Sequence, residues 1–338
     1  MKTSSLPLPN FIFHSLVGSF LTRVWPFGMT QAFPKNLSRY RLQKVLTPLA
    51  PKTPFTFALY QNSRGMGVLA KRWMGKYKNF DYCTLLNEAH IGVLLTRVQN
   101  RTKQQLPKNL KHIATAKVLK VIASTNSLIV LFEYINGQQI SQKPGLNKAR
   151  WYLKAVLYLR FLDQNLQDAE RKTLARRQKF QNGILYPFLL TKALITHPHE
   201  ALILIKAVPF WVKYFWESRP VTRLVLTHRD LHFHNLLISG QKIYLIDFQL
   251  AVLTHPLEEY VTTCILQWHE KSTRTKLLTT IYNECQKLNL KTTDIPRLFI
   301  EIATHALVGN KFSEVKLHNY LSALRFGSSF NPARSKSL

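Results

Sequence analysis

The sequence predicts an α+β protein made of two unlike lobes. Three observations carry that reading. Extended apolar runs crowd the stretch from residue 56 to residue 134, helical periodicity takes over from Trp151, and the pattern turns extended again between Arg223 and Leu253. At 338 residues the chain is long enough for two hydrophobic cores, and 46% hydrophobic with 12% aromatic residues excludes bulk disorder.

Taken in order, Pro7, Pro9, Pro26, Pro34, Pro48, Pro51 and Pro54 punctuate the start and argue against long helices there. Residues 1–45 therefore read as a basic, aromatic extension. Thr56–Gln61 and Val68–Trp73 flank Asn62-Ser63-Arg64-Gly65-Met66-Gly67, the pattern of a β-hairpin with a glycine-bearing turn. Leu85–Val98 has helical spacing, with Leu86, Ile91, Val93 and Leu94 apolar. Ala116–Ile122 and Ser127–Tyr134 are two more strands, closed by Asn136-Gly137, so residues 46–135 form a β-rich lobe. Residues 136–327 form a mainly helical lobe. Its expected helices are Lys148–Asn165, Gln167–Gln181, Ala201–Glu217 (kinked at Pro209), Glu259–Cys285, Asp294–Ala306 and Ser313–Leu324. Short strands at Leu224–Thr227, Leu236–Ile238 and Ile243–Ile246 are inserted, and residues 328–338 are a polar tail.

The charge balance is extreme: 47 Lys and Arg against 17 Asp and Glu, a net charge of +30. Such a field calls for an anionic partner, whether nucleic acid, an anionic membrane face or a phosphorylated substrate. The first 80 residues hold twelve Lys and Arg and no acid. Three widely spaced cysteines, Cys83, Cys264 and Cys285, exclude a disulfide framework and fit a reducing compartment. The most apolar early stretch, Phe11–Trp25, is short and broken by His14, Ser15, Ser19, Thr22 and Arg23, and no clean cleavage signal follows it. A cytoplasmic protein is expected, with the basic segment carrying Phe11, Phe13, Phe20, Trp25 and Phe27 suited to peripheral contact with the inner, anionic membrane face. No aromatic–basic nucleic-acid motif occurs, which disfavours nucleic acid as the partner.

Chemistry concentrates in His228-Arg229-Asp230-Leu231-His232-Phe233-His234-Asn235, followed by the strand Leu236-Leu237-Ile238 and by Tyr244-Leu245-Ile246-Asp247-Phe248. An Asp and an Asn five residues apart lie between apolar strands, and a second Asp follows the next strand. Phosphoryl transfer needs such a set: a carboxylate to orient and deprotonate the attacking hydroxyl, and an amide oxygen with a second carboxylate to hold Mg²⁺. A polar turn joining two strands is the alternative, and it leaves the agreement of residue type, spacing and strand context unexplained.

The segment resembles the catalytic signature H-R-D-x-x-x-x-N followed by I-D-F of the protein-kinase-like superfamily. The resemblance spans about Thr56 to Pro256. It implies a bilobal protein-kinase-like fold, ATP as donor, Asp230 as catalytic base, and Asn235 and Asp247 as Mg²⁺ ligands. It also implies a strand lysine paired with a helix glutamate. Val68-Leu69-Ala70-Lys71 and Leu85-Leu86-Asn87-Glu88-Ala89 supply Lys71 and Glu88, either of which, taken alone, would be an ordinary solvated residue. Leu131-Phe132-Glu133-Tyr134 looks like the strand-to-linker segment that receives adenine, which adds Glu133 to the nucleotide set. The glycines depart from the pattern: Gly65 and Gly67 are too near Lys71 to form the phosphate lid, which would fall near Leu46–Phe55, where there is no glycine.

Within the superfamily, His232 looks like aminoglycoside and choline phosphotransferases. Asp247-Phe248-Gln249 lacks the glycine of D-F-G, and no A-P-E segment follows, which disfavours protein phosphorylation. Arg229, Leu69-Ala70-Lys71-Arg72-Trp73 and Asn87-Glu88-Ala89 look like the lipopolysaccharide core kinases, which phosphorylate Kdo or heptose. The expected function is an ATP-dependent phosphotransferase acting on a sugar hydroxyl of a lipopolysaccharide or glycolipid core. An aminoglycoside- or choline-type small-molecule kinase is the alternative. A non-catalytic, nucleic-acid-binding pseudokinase is the alternative from another class. His228, His232, His234 and His255 invite a zinc reading, but neighbouring side chains on an extended loop point apart.

Overall fold

The computed structural model describes residues 32–47, 53–75, 80–142, 148–308 and 314–330. The chain divides into two units. The first holds the described residues up to 142, with Arg160–Ala175 and Phe233–Ala251; the second holds 148–159, Arg176–His232 and the described residues from Val252 on.

The first unit is built on a six-stranded antiparallel sheet of β1 (Asn36–Leu37), β2 (Tyr40–Leu46), β3 (Thr56–Gln61), β4 (Gly67–Met74), β6 (Val118–Ala123) and β7 (Ser127–Glu133), in the order β1-β2-β3-β4-β7-β6. Strand alternation sorts its side chains. Ala58, Tyr60, Val68, Ala70, Ile129 and Leu131 form one core cluster, while Trp73, Leu128, Val130 and Phe132 form another with Tyr82, Leu85 and Ala89 of α1 (Phe80–Arg101). The helix lies close to the sheet: a Cβ at Gly92 would meet Val118 Cγ2 at 2.4 Å, so only glycine fits there. A second sheet has the order β5-β11-β10-β8, from Ile113–Thr115 (β5), Gln138–Gln139 (β8), Leu236–Ser239 (β10) and Lys242–Leu245 (β11). Gly137 lets β8 approach it, since a Cβ there would stand 2.6 Å from the carbonyl oxygen of Ile238.

The second unit holds α2 (Lys148–Gln164, which begins in this unit), α4 (Lys179–Thr196), α5 (Ala201–Glu217), α6 (Glu258–Leu266), α7 (Lys271–Lys287), α8 (Asp294–Leu307) and α9 (Glu314–Ser329), with the antiparallel pair β9 (Val225–Thr227) and β12 (Val252–Thr254); α8 is central and packs against α4, α5, α6 and α9. A short helix α3 (Asp168–Lys172) belongs to the first unit.

The α+β class and the order of a sheet-rich and a helical part agree with the sequence reading, but several elements differ, and α4 beyond Gln181 and the short strands β5, β8 and β12 have no counterpart in it. Part of the expected extension is strand: β1 and all of β2 but its last residue fall within 1–45, and β2 pairs with β3 from Leu42–Tyr60 to Leu46–Phe57. Residues 1–31 lie outside the described residues. The helix expected over Gln167–Gln181 is two helices, because Arg176 bridges Leu253 and the Arg177 N–H donates to the Leu253 carbonyl, which holds the chain extended between them. The glutamine at 178 then starts α4 through a reciprocal capping box with Gln181. The helix expected over Glu259–Cys285 breaks between α6 and α7. Lastly, α9 runs to Ser329 and Phe330 is buried against Phe326, so the polar tail begins later than residue 328.

Candidate active site

Lys71 sits mid-strand in β4, paired on one side with Phe57 of β3 and on the other with Val130 of β7. It is 5% exposed, with its ammonium 5.0 Å from the Phe55 ring centroid. A charge so placed needs carboxylates. Two supply them: Lys71 Nζ donates to Glu88 Oε2 at 2.7 Å and to Asp247 Oδ1 at 3.0 Å. Burial works against the ammonium, but the attraction of Glu88 and then Asp247, with both hydrogen bonds, outweighs it and holds the Lys71 pKa above its ordinary value. Burial likewise dominates at Glu88 and pushes its carboxyl up to about 7, against the pull of Lys71 and with the help of the Asp247 charge. The Lys71 ammonium therefore stays charged, while Glu88 changes charge near neutral pH.

The β10–β11 hairpin positions the metal-ligand candidates. Its register sets Leu236 opposite Leu245, and the Ile246 N–H donates to the Asn235 carbonyl at 3.1 Å. Asn235 and Asp247 thus emerge at the open end of one hairpin. Asp247 adopts a left-handed conformation (φ 66°, ψ 59°), which a short polar side chain tolerates better than most, and its side chain is 35% exposed. Among the described residues no group of three His, Cys, Asp or Glu could hold a metal. One carboxylate and one amide oxygen are hard donors, and they suit a Mg²⁺ ion whose remaining shell is phosphate oxygen and water.

α1 contributes twice. Glu88 reaches Lys71, and the next residue back, Asn87, donates through Nδ2 to the carbonyls of Gln249 and Ala251, both at 3.0 Å. The helix that pairs the lysine therefore also pins the loop carrying Asp247. Asn87 entered the sequence reading only as part of a resemblance; its adjacency to Glu88 was the available signal.

Asp230 lies in the second unit, on the loop that leaves β9. The Glu259 carboxylate accepts the backbone N–H groups of both His228 and Arg229. Arg229, at φ 63°, donates from Nε to Glu258 Oε1 at 2.8 Å, and the Thr254 hydroxyl also bonds to Glu258. The two acids at the start of α6 thus hold the backbone and the arginine immediately before Asp230. The Asp230 carboxylate is left 39% exposed, 3.6 Å from His232 Nε2. Glu258 and Glu259 were missed in the sequence, although they are the chain's single pair of adjacent acids. Glu133 ends β7 opposite Val68, with its N–H donated to the Lys117 carbonyl. The expected lid region follows β2 and precedes β3, and its residues 48–52 lie outside the described residues.

Residues 98–280 match the model of the phosphotransferase enzyme family. The fold is similar to spectinomycin phosphotransferase in complex with ADP and spectinomycin, at 12% identity and TM-score 0.53, covering 87% of this chain and 93% of that one. It is also similar to amicoumacin kinase in complex with AMP-PNP and Ca²⁺, at 11% identity and TM-score 0.54, covering 87% and 89%. A thermostable aminoglycoside phosphotransferase mutant with ADP and hygromycin B aligns at 10% identity and TM-score 0.51, covering 95% and 97%. No protein of curated function matches the chain by sequence.

Proposed function

The chain belongs to the phosphotransferase enzyme family, and from that premise we propose that it transfers the γ-phosphoryl group of ATP to a hydroxyl of an anionic sugar, foremost one in a lipopolysaccharide or other glycolipid core. The observation that carries the phosphotransfer is the buried Lys71 held between Glu88 and Asp247. With Asp247 engaged in holding a metal, Lys71 would be available to the α- and β-phosphates while Glu88 keeps it in place. Asn235 and Asp247 would hold Mg²⁺, which neutralises charge on the β- and γ-phosphate oxygens. Asp230 orients the acceptor hydroxyl and takes its proton as the acceptor oxygen bonds to phosphorus and ADP leaves. Glu133 and the end of β7 receive the adenine.

Charge supports the acceptor class. A net charge of +30 attracts phosphorylated sugars and repels polycationic aminoglycosides. Arg229 and the segments around Lys71 and Glu88 point the same way. The second reading, an aminoglycoside-type kinase, draws on the fold shared with enzymes that bind spectinomycin and hygromycin B. A nucleic-acid-binding pseudokinase is disfavoured because lysine, base, amide and metal carboxylate are all present. No single described helix is long and apolar enough to cross a membrane. The proposed location is cytoplasmic, peripheral on the inner membrane face.

Transfer from labelled ATP to core glycolipid, free Kdo and heptose, aminoglycosides and nucleic acid decides among these. Label on the glycolipid or its sugars is expected. Label on aminoglycosides alone would transfer the assignment to the second reading, and tight RNA or DNA binding without transfer would overturn both.

A further inference from the structure

The second unit carries an apolar surface on its outside. In α4, Phe180, Ile184, Phe188 and Ile195 recur at helical spacing on one face, and all are at least half exposed, Ile195 at 75%. Asn182, Tyr186 and Ala193 on the opposite face are buried. In α5, Leu202, Ile205, Val212 and Trp216 make a second exposed stripe, with Trp216 78% exposed, while Leu204, Ala207, Trp211 and Tyr214 are buried. The two helices pack together: Tyr186 stacks on Trp211 at 4.1 Å, and a Cβ at Gly183 would strike Phe215 at 2.5 Å. Both helices are thus apolar on both faces, and only one face of each is used by the core. Soluble monomers rarely leave so much apolar surface uncovered without an interaction to serve.

Charge identifies the partner. Between residues 179 and 219 the chain has Lys179, Lys192, Lys206, Lys213 and Arg219 against only Glu200 and Glu217. Lys206 and Lys213 are exposed and border the α5 stripe. Where α4 begins and α5 ends, Arg177, Lys179 and Arg219 line a small depression whose floor is Arg297, itself buried and paired with Asp294 and Glu301. Burial and then the nearby Arg297 charge hold the Lys179 pKa below its ordinary value, a condition that a bound anion would relieve. The helix pair together is as apolar as a membrane-crossing segment, but it bends by 113° between Thr196 and Pro198. A bent, lysine-edged apolar pair suits the face of a bilayer better than its interior.

We propose that the α4–α5 hairpin is the surface by which this protein docks on an anionic phospholipid membrane, with its stripes in the interface and its cations on the phosphates. The inference goes beyond the acceptor reading, and it is tested with no acceptor present, so that either can fail alone. The full chain is floated with vesicles of phosphatidylcholine, with and without about one-third phosphatidylglycerol. Binding to the anionic vesicles, lost at high salt, is expected. The triple change Phe188→Ser, Ile195→Ser, Trp216→Ser should weaken that binding about tenfold or more, while the melting shift on Mg·ATP is kept as proof of folding. A fluorophore on Phe188→Cys, selective because Cys83, Cys264 and Cys285 are buried, should be quenched by bromines in the acyl chains. Unchanged vesicle binding by the triple variant, or no quenching, overturns the proposal. So does wild-type protein that ignores vesicles but forms a dimer the triple variant dissociates. Binding that emerges only after removal of residues 1–31 would make that segment the hairpin's occupant and equally overturn it.

Discussion

Lys71 Nζ lies 3.0 Å from Asp247 Oδ1, although 176 residues separate the two. The contact joins the lysine proposed to bind nucleotide to the carboxylate proposed to bind metal, both in one unit, with Glu88 on the other side of the ammonium at 2.7 Å. On the proposed reading, the lysine neutralises this carboxylate in the unliganded protein, and Mg²⁺ would compete with it for Asp247.

Asp247→Ala tests that exchange. A ligand present at a hundred times its Kd stabilises the fold by about 2.7 kcal/mol. In the variant, the Mg²⁺-dependent part of the ATP-induced rise in Tm should vanish. A rise equal to that of the wild-type protein would remove Asp247 from the metal site.

Asp230→Asn should leave the fold and nucleotide binding intact, because Glu259 holds the loop through backbone N–H groups that the change does not touch. Turnover should fall by roughly 10²–10⁴-fold, the scale of general-base catalysis. Steady-state kinetics with the acceptor checks this, and unchanged kcat would exclude Asp230 as the base.

Nucleotide affinity should depend on pH through Glu88. Its carboxyl titrates at about 7 in the folded protein. Below that pH it is neutral, and Lys71 is left to Asp247 alone; above it, the pair holds Lys71 and frees Asp247 for metal. Mg·ATP affinity should therefore rise from pH 6 to pH 8, and Glu88→Gln should flatten the profile. The stability of the unliganded protein runs the other way. A raised folded pKa contributes stability that is complete below the ordinary carboxylate value and is lost as pH rises through about 7. Isothermal titration and melting curves across this range measure both, and a flat wild-type affinity profile would show that Glu88 does not titrate there.

Arg297 anchors the second unit. It is 1% exposed and donates to Asp294 Oδ1 at 3.0 Å and to both Glu301 oxygens at 3.0 and 3.1 Å, while Glu301 also accepts from Asn182 of α4 and Trp211 of α5. Arg297→Leu leaves two buried carboxylates without their cation and should cost about 3–5 kcal/mol. A denaturant midpoint within error of the wild-type value would contradict that role.

The chain by itself determined the strands around Lys71, the helix of Glu88, and the spacing of Asp230, Asn235 and Asp247. Each is a local feature, readable from alternation, helical period or the ends of one hairpin. Local signals also misled. Prolines on either side disguised β1 and β2, because β2 is held by pairing with β1 and β3, and continuous helical propensity hid the break that Leu253 imposes at Arg176. The tertiary structure alone decided that Asn87 holds Gln249 and Ala251, 162 and 164 residues on, and that Glu259 holds the loop before Asp230. It alone decided, too, that the second apolar stripe of α4 and α5 faces outward. Period and spacing are written along the chain, whereas a hydrogen bond between distant segments, or the face a doubly apolar helix buries, depends on which surfaces packing brings together.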